Sequence, residues 1–358
     1  MKTFDELMQL KLNDRFSKSN IRKLSITNEL IDFSSNDYLG IALNNNTGST
    51  GSRLISGNNL EIEKLEKYFS KLSGFESALF FSSGYQANVG LIPALTDRNT
   101  TILYDEYIHA SLRDGIKLSH AKSFSYKHND ISHLEERLNK TNGLTLILTE
   151  SVFSMDGDSP NLKKLVALAK KYHAEIIVDE AHSYGISGNK GKGMVSELNI
   201  QNDVLAVIYP LGKAVGASGA FVTGNYLLRE YLINFCRSFI FSTAPSKTIV
   251  NEVKEQLELI SNFKITKTVF KLKSHFLNTL SGKYIVCTGP NSAIVSVKIP
   301  GNRNVKRIEK QLMESGIFVK SITHPTVPKG EERLRVCFHE FNTKEDVDLL
   351  VELINKFQ

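Results

Sequence analysis

The stretch LTLILTESVFSMDGDSPNLKKLVALAKKYHAEIIVDE, residues 144 to 180, decides the fold class. LTLILTE (144–150) and AEIIVDE (174–180) are apolar and β-branched along nearly their whole length. Strands buried on both faces of a sheet have that texture, whereas a sheet with one wet face alternates. Between them NLKKLVALAKKYH puts Leu162, Leu165, Val166 and Ala169 on one helical face. Strand, helix and strand in succession predict a mostly parallel sheet covered by helices, that is, an α/β fold. TILYD (101–105) and DVLAVIYP (203–210) read as further strands of the same sheet. Upstream, Asn59 to Leu72 carries Ile62, Leu65, Phe69 and Leu72 at helical spacing and stops at Gly74, a C-terminal cap. From about residue 285 the strands shorten and two amphipathic helices are expected, Val305 to Ser315 and Thr343 to Phe357, the second opened by Thr343 with Asp346 at the capping-box position. The expected organisation is an N-terminal segment (1–40), a large domain (41–260) and a smaller α+β C-terminal domain (261–358).

Composition narrows the function classes. The 358 residues are 41% apolar and 23% charged, enough for a sizeable core and two domains. The net charge of +6 comes from lysines scattered along helices, such as Lys163-Lys164 and Lys170-Lys171, so no nucleic-acid partner is expected. Three cysteines without a CxxC argue against a disulfide framework and against a cysteine zinc site, and suit a reducing cytoplasm. MKTFDELMQLKLNDRF is charged throughout, so neither a signal peptide nor a membrane span is expected.

VDEAHSYGISGNKGKG (178–193) contains the letters of a helicase box, which would require a GxxxxGK[ST] phosphate cradle elsewhere. No such run occurs: the lysines of Gly191-Lys192-Gly193 and Gly212-Lys213-Ala214 have no hydroxyl residue after them. Asp179 and His182 instead stand at the carboxyl end of a buried strand, where open α/β sheets collect ligands. Lys213, flanked by Gly212 and Gly216, holds the same place after the next strand. A lysine and a carboxylate aimed at one crevice meet the needs of pyridoxal phosphate: an amine for the Schiff base and an acid to keep the pyridinium protonated.

Seven ordered runs carry a resemblance along nearly the whole chain: FSSNDYLG (33–40), SGYQAN (83–88), HASLRDG (109–115), FSMDGD (153–158), DEAHSYG (179–185), LGKAVG (211–216) and PTVPKGEERLRV (325–336). Together they resemble the α-oxoamine synthases, pyridoxal phosphate enzymes of fold type I. The resemblance implies that Lys213 binds the cofactor and acts as base, Asp179 pairs with the ring nitrogen, His182 sits near the phenolic oxygen and His109 stacks on the ring. It also implies phosphate contacts from the Gly84 and Tyr85 amides and a place for Ser154 in the cofactor shell. Ser242 and Thr243 would reach the phosphate, and Asn36 the neighbouring site, across a homodimer with shared active sites. Arg335 would bind the substrate carboxylate with its planar fork, Thr326 would line the substrate site and Arg22 would be an N-terminal substrate arginine; Arg333 would be structural. Where relatives usually read TFGK or TLGK, this chain has Pro210-Leu211-Gly212-Lys213. Proline has neither hydroxyl nor N–H, so one phosphate contact is lost, at about 1 to 3 kcal/mol of cofactor affinity unless another group substitutes.

The reaction implied is the condensation of a small amino acid with an acyl thioester. FSSNDYLG and FSMDGD followed by SP are most similar to members that join L-alanine to a pimeloyl thioester, on CoA or a carrier protein, in biotin biosynthesis. The alternatives are a glycine C-acetyltransferase or another synthase using glycine or serine. A different class, a non-catalytic subunit of the same fold, is opposed by Lys213, Asp179 and His109.

Overall fold

The computed structural model describes residues 3–26, 34–36, 48–262 and 268–357. The chain divides into two compact units: Met1–Ser151 with Pro160–Asn262, and Val152–Ser159 with Phe263–Gln358. The expected 41–260 domain is therefore interrupted, because the stretch that carries FSMDGD packs with the C-terminal unit. FSSNDYLG, apart from Ser34 to Asn36, lies outside the described residues.

In the first unit the helices are α1 (Phe4–Ser17), α2 (Leu60–Ser73), α3 (Gly84–Leu95), α4 (Ala110–Leu118), α5 (Ile131–Leu138), α6 (Leu162–Lys171), α7 (Met194–Glu197), α8 (Tyr226–Phe235), α9 (Arg237–Ile240) and α10 (Lys247–Asn262). The strands are β1 (Ser77–Phe81), β2 (Thr101–Asp105), β3 (Lys122–Tyr126), β4 (Thr145–Glu150), β5 (Glu175–Asp179), β6 (Ala206–Pro210) and β7 (Ala220–Gly224). They form one sheet in the order β1-β7-β6-β5-β4-β2-β3. Among the described residues only β7 runs against its neighbours, so β1 to β6 all deliver their carboxyl ends to one edge. Every residue of β4 is buried, as its continuous apolar run demands. On one face Phe69 of α2 stacks on Phe221 of β7 with ring centroids 3.9 Å apart, and Tyr184 and Tyr209 meet it edge-on. Gly74 ends α2 in the left-handed conformation, with φ of 80°.

The second unit holds α11 (Thr268–Thr279), β8 (Val286–Cys287), β9 (Ile294–Lys298), α12 (Asn302–Glu314), β10 (Lys320–Ile322), β11 (Arg333–Cys337) and α13 (Lys344–Lys356). Its strands make an antiparallel sheet in the order β10-β11-β9-β8. Leu334 and Val336 of β11 join Val295, Val297, Ile308, Leu312 and Ile354 in its core. Thr343 and Asp346 form the expected capping box at the start of α13. Among the described residues no helix is long and apolar enough to cross a membrane.

Candidate active site

A cavity of about 370 Å³ opens at the carboxyl edge of the large sheet. Five of the six strands that end at this edge contribute, all but β3. After β1 the chain turns through Ser82 and Ser83 into α3, and Ser83 caps that helix by accepting from Gln86 N, so the first-turn amides of Gly84 and Tyr85 have no partner within the helix and suit an anion. Beyond β2 comes His109, which caps α4. Glu150 is the last residue of β4 and Asp179 the last of β5, and the two are direct partners in the parallel register. Past β6 a turn carries Lys213, exposed into the cavity. His182, half-buried, lines the same wall.

Gly84, Tyr85, His109, Asp179, His182 and Lys213 thus come together around one space. The other candidates of the first unit lie outside its lining. Arg22 is bound to Asn234, its backbone N–H on the side-chain oxygen at 2.8 Å and its Nη1 on the carbonyl at 2.7 Å. Asn36 donates its N–H to the Thr50 carbonyl at 2.9 Å. Ser242 Oγ accepts from Gln86 Nε2, and Thr243 forms an isolated antiparallel bridge with Ser52. In the second unit Arg335 Nε donates to the Ser154 carbonyl at 2.5 Å, while Arg333 is paired with Asp156. Thr326 is exposed in the turn after β10, with its N–H on the Thr323 carbonyl at 2.9 Å.

Four carboxyl groups at this edge are buried: Asp105 at the end of β2, Glu150, Asp179 and Glu180. Asp179 accepts from Asn88 Nδ2 and the Ala181 N–H, both at 2.9 Å. Burial lifts it above the usual carboxylate range, against the pull of Asn88 and the charge of Lys213. Glu150, which sequence reasoning passed over, accepts the His109 N–H at 2.6 Å. Burial and the adjacent Asp179 charge push it well above the usual range. Glu180, also overlooked, accepts from Val195 N at 2.6 Å, Ser183 Oγ at 2.7 Å and Met194 N at 3.0 Å, which ties the glycine-rich loop down to the start of α7. A Cβ at Gly193, where φ is 89°, would collide with that carboxylate. A signal for Glu150 was available: LTLILTE and AEIIVDE both run from buried apolar residues into an acid at the strand end.

Pro210 has a structural reason. Leu211 N donates to Gly219 O on the β7 side, so by antiparallel alternation position 210 faces β5, whose pairing with β6 ends at Asp179 opposite Ile208. The missing N–H costs no ladder bond. The proline ring lies beneath Gly84, where an added Cβ would sit 2.7 Å from Pro210 Cβ and Cγ. Glycine at 84 and proline at 210 therefore fit as a pair, and hydroxyls of Ser82, Ser83, Tyr85, Ser111 and Ser218 line the cavity.

The residues present fit pyridoxal 5′-phosphate: a buried carboxylate for a cationic ring nitrogen, a lysine above it, an imidazole at the side and helix-start amides for a phosphate. Fold and site together define a pyridoxal phosphate-dependent transferase. Among the described residues there is no cluster of His, Cys, Asp and Glu able to hold a metal. Residues 28–354 match the family model described as aminotransferase class I and II. An 8-amino-7-oxononanoate synthase of Lysinibacillus sphaericus is 37% identical over 340 residues, 90% of this chain and 87% of that protein. The solved serine palmitoyltransferase of Sphingomonas wittichii superposes with a TM-score of 0.81 at 29% identity, covering 88% of this chain and 80% of that one. The 8-amino-7-oxononanoate synthase of Francisella tularensis does so with a TM-score of 0.74 at 30% identity, covering 92% and 97%. The chain belongs to the class I and II aminotransferase family and, within it, to the α-oxoamine synthases, acyltransferases that work with pyridoxal 5′-phosphate.

Glu180 makes stability pH-dependent. Burial pushes its carboxyl up to about 7 from an ordinary 4.5. A raised folded-state value means that the fold favours the protonated acid, so this contribution is complete below pH 4.5 and is lost as pH rises through 7. Urea unfolding at pH 5 and pH 8 should show Glu180→Gln flattening the pH dependence of the parent by on the order of 3 kcal/mol. An unchanged slope in the variant would contradict this assignment.

Proposed function

We propose that this protein condenses L-alanine with a pimeloyl thioester, releasing carbon dioxide and the free thiol and forming 8-amino-7-oxononanoate, a step of biotin biosynthesis. Two observations support the reading: the name carried by the Lysinibacillus and Francisella relatives, and a cavity whose lining holds a base, a ring-facing acid and an anion-binding helix start. Bound there, pyridoxal 5′-phosphate supplies the electron sink for negative charge developing at the amino-acid Cα.

The chain's own residues do the rest. Lys213 Nζ would hold the cofactor and, once the substrate amine has displaced it, would take the Cα proton as general base. Asp179, buried at the end of β5, would hold the positive charge of the ring nitrogen. His109 would cover a ring face, and His182 would stand beside the phenolic oxygen. The Gly84 and Tyr85 amides receive the phosphate. In the second unit Arg335 takes the amino-acid carboxylate, its fork oriented by Nε on the Ser154 carbonyl, and Thr326 lines the amino-acid site. Ser242, Thr243 and Asn36, none of which lines the cavity of its own chain, act across a homodimer on the partner's site; Arg22, held by Asn234, borders the substrate entrance. The three cysteines, all free, suit the cytoplasm.

The likeness to a serine palmitoyltransferase keeps a second reading, serine with a longer acyl chain, as the competitor. Product mass after incubation with L-alanine, glycine or L-serine and a panel of acetyl, pimeloyl and palmitoyl thioesters separates them. The proposal expects the alanine and pimeloyl pair to turn over fastest. In the same assay Arg335→Lys should raise the alanine requirement by about tenfold or more, the scale of a charge-assisted hydrogen bond. Faster turnover of glycine with acetyl thioester, or of serine with palmitoyl thioester, would overturn the substrate assignment.

Shared sites have their own measurement. Inactive Asn36→Ala and Lys213→Ala chains, mixed under verified subunit exchange, should regain about a quarter of parental activity, since one of the two sites in each heterodimer is intact and about half of the dimers are mixed. No recovery would place Asn36 outside the partner's site.

A further inference from the structure

A line of hydrogen bonds behind the cavity wall joins Asp179 to His109, and nothing in the chemistry above uses it. Asn88, 1% exposed, stands on α3 one turn past Gly84. Its Nδ2 donates to Asp179 Oδ2 and to Ser111 Oγ, both at 2.9 Å. Ser111, 1% exposed in the first turn of α4, has its Oγ 2.7 Å from His109 Nδ1, and its N–H donates to the same nitrogen at 3.2 Å. The two helices lie close enough for this because residue 115 is glycine: a Cβ there would sit 2.7 Å from the Asn88 carbonyl oxygen.

The donor inventory sets the direction of each bond. A carboxylate only accepts, so the amide turns Nδ2 toward Asp179. Asn88 Oδ1 is buried and finds no partner among the described residues, which marks an amide oriented for its two donations at the expense of its acceptor. Ser111 Oγ receives one of those hydrogens and has its own to give to His109 Nδ1. That nitrogen, already accepting a backbone N–H, carries no proton, and the ring proton sits on Nε2.

The charged groups facing His109 pull the other way. Asp179 on β5 and Asp114 on α4 would favour an imidazolium, and Lys213, after β6, would oppose it. Against them, Ser111 directs its hydroxyl and its N–H at the one nitrogen, Nδ1.

We propose that Asn88 and Ser111 are positioning residues that keep His109 uncharged with its proton on Nε2 and tie that state to an ionised Asp179. The inference rests on the assignment of His109 and Asp179 to the cofactor, and its function is to keep a second positive charge off the face of a cationic ring. Helix α3 then serves the cofactor twice, with phosphate amides in its first turn and this relay in its second.

Nitrogen-15 NMR of the histidine-labelled apoprotein reads the relay without cofactor or turnover; the His109 signals are assigned by their loss in His109→Asn. The parent should show an unprotonated Nδ1 and a protonated Nε2 at neutral pH. Ser111→Ala should bring a proton onto Nδ1 in a substantial fraction of molecules, while Ser111→Thr keeps the parental pattern. In the holoenzyme Ser111→Ala and Asn88→Ala should each lower turnover by about tenfold, and the double variant should lose little more than either alone, because both break one line. A parental His109 protonated on Nδ1, a ring unaffected by Ser111→Ala, or fully additive losses would each overturn the relay. The parental spectrum needs no variant to fold. Failure of the cofactor assignment would show separately, as undiminished turnover in His109→Asn.

Discussion

Much of the first unit turns on one costly placement, the burial of the Asp179 carboxylate at the end of a central strand. A carboxylate withdrawn from water is tolerated only where donors and a cation meet it. Here Asn88 and the Ala181 amide supply the donors, and Lys213 supplies the charge. The cost is raised further by Glu150, directly opposite in the sheet register, whose own carboxyl is pushed well above the usual range. In the function proposed above, a cationic ring nitrogen against Asp179 would complete the compensation. Perturbed acids of this kind mark functional sites because stability alone would not select them.

The fold exists to bring such groups together. Six strand ends open at one edge, and five of them equip the site: helix-start amides after β1, imidazole after β2, acids on β4 and β5, lysine after β6. Close helix packing at Gly115 and the fit of Gly84 over Pro210 set spacings that a Cβ would spoil. Proline in place of the usual threonine thus has a definite steric role as well as the loss of a hydroxyl.

The central strands and their helices were legible in the sequence because both faces of the sheet are covered, which writes continuous apolar runs. Edge and antiparallel members were not. KSFSY of β3 alternates exposed and partly covered residues, and AFVTG of β7 sits between Gly219 and Asn225, so both read as connections. Motif residues at strand ends could be assigned roles because their chemistry is distinctive. Glu150, Asn88 and Ser111 lay inside quoted runs yet remained silent, since their importance comes from partners distant in sequence: Asn88 meets Ser111 and Asp179 only when α3, α4 and β5 converge. The passage of Val152–Ser159 into the second unit was likewise invisible, being fixed by Asp156 on Arg333 and the Ser154 carbonyl on Arg335.

The most direct measurement is the turnover and fold of Asp179→Asn, which keeps the shape of the side chain but removes its charge and replaces one of its two accepting oxygens by a donor. Circular dichroism should match the parent, and turnover should fall by on the order of a hundredfold or more, the scale of a lost proton-holding group in catalysis. Parental turnover in a folded Asp179→Asn protein would show that the buried charge is not what the site is built around.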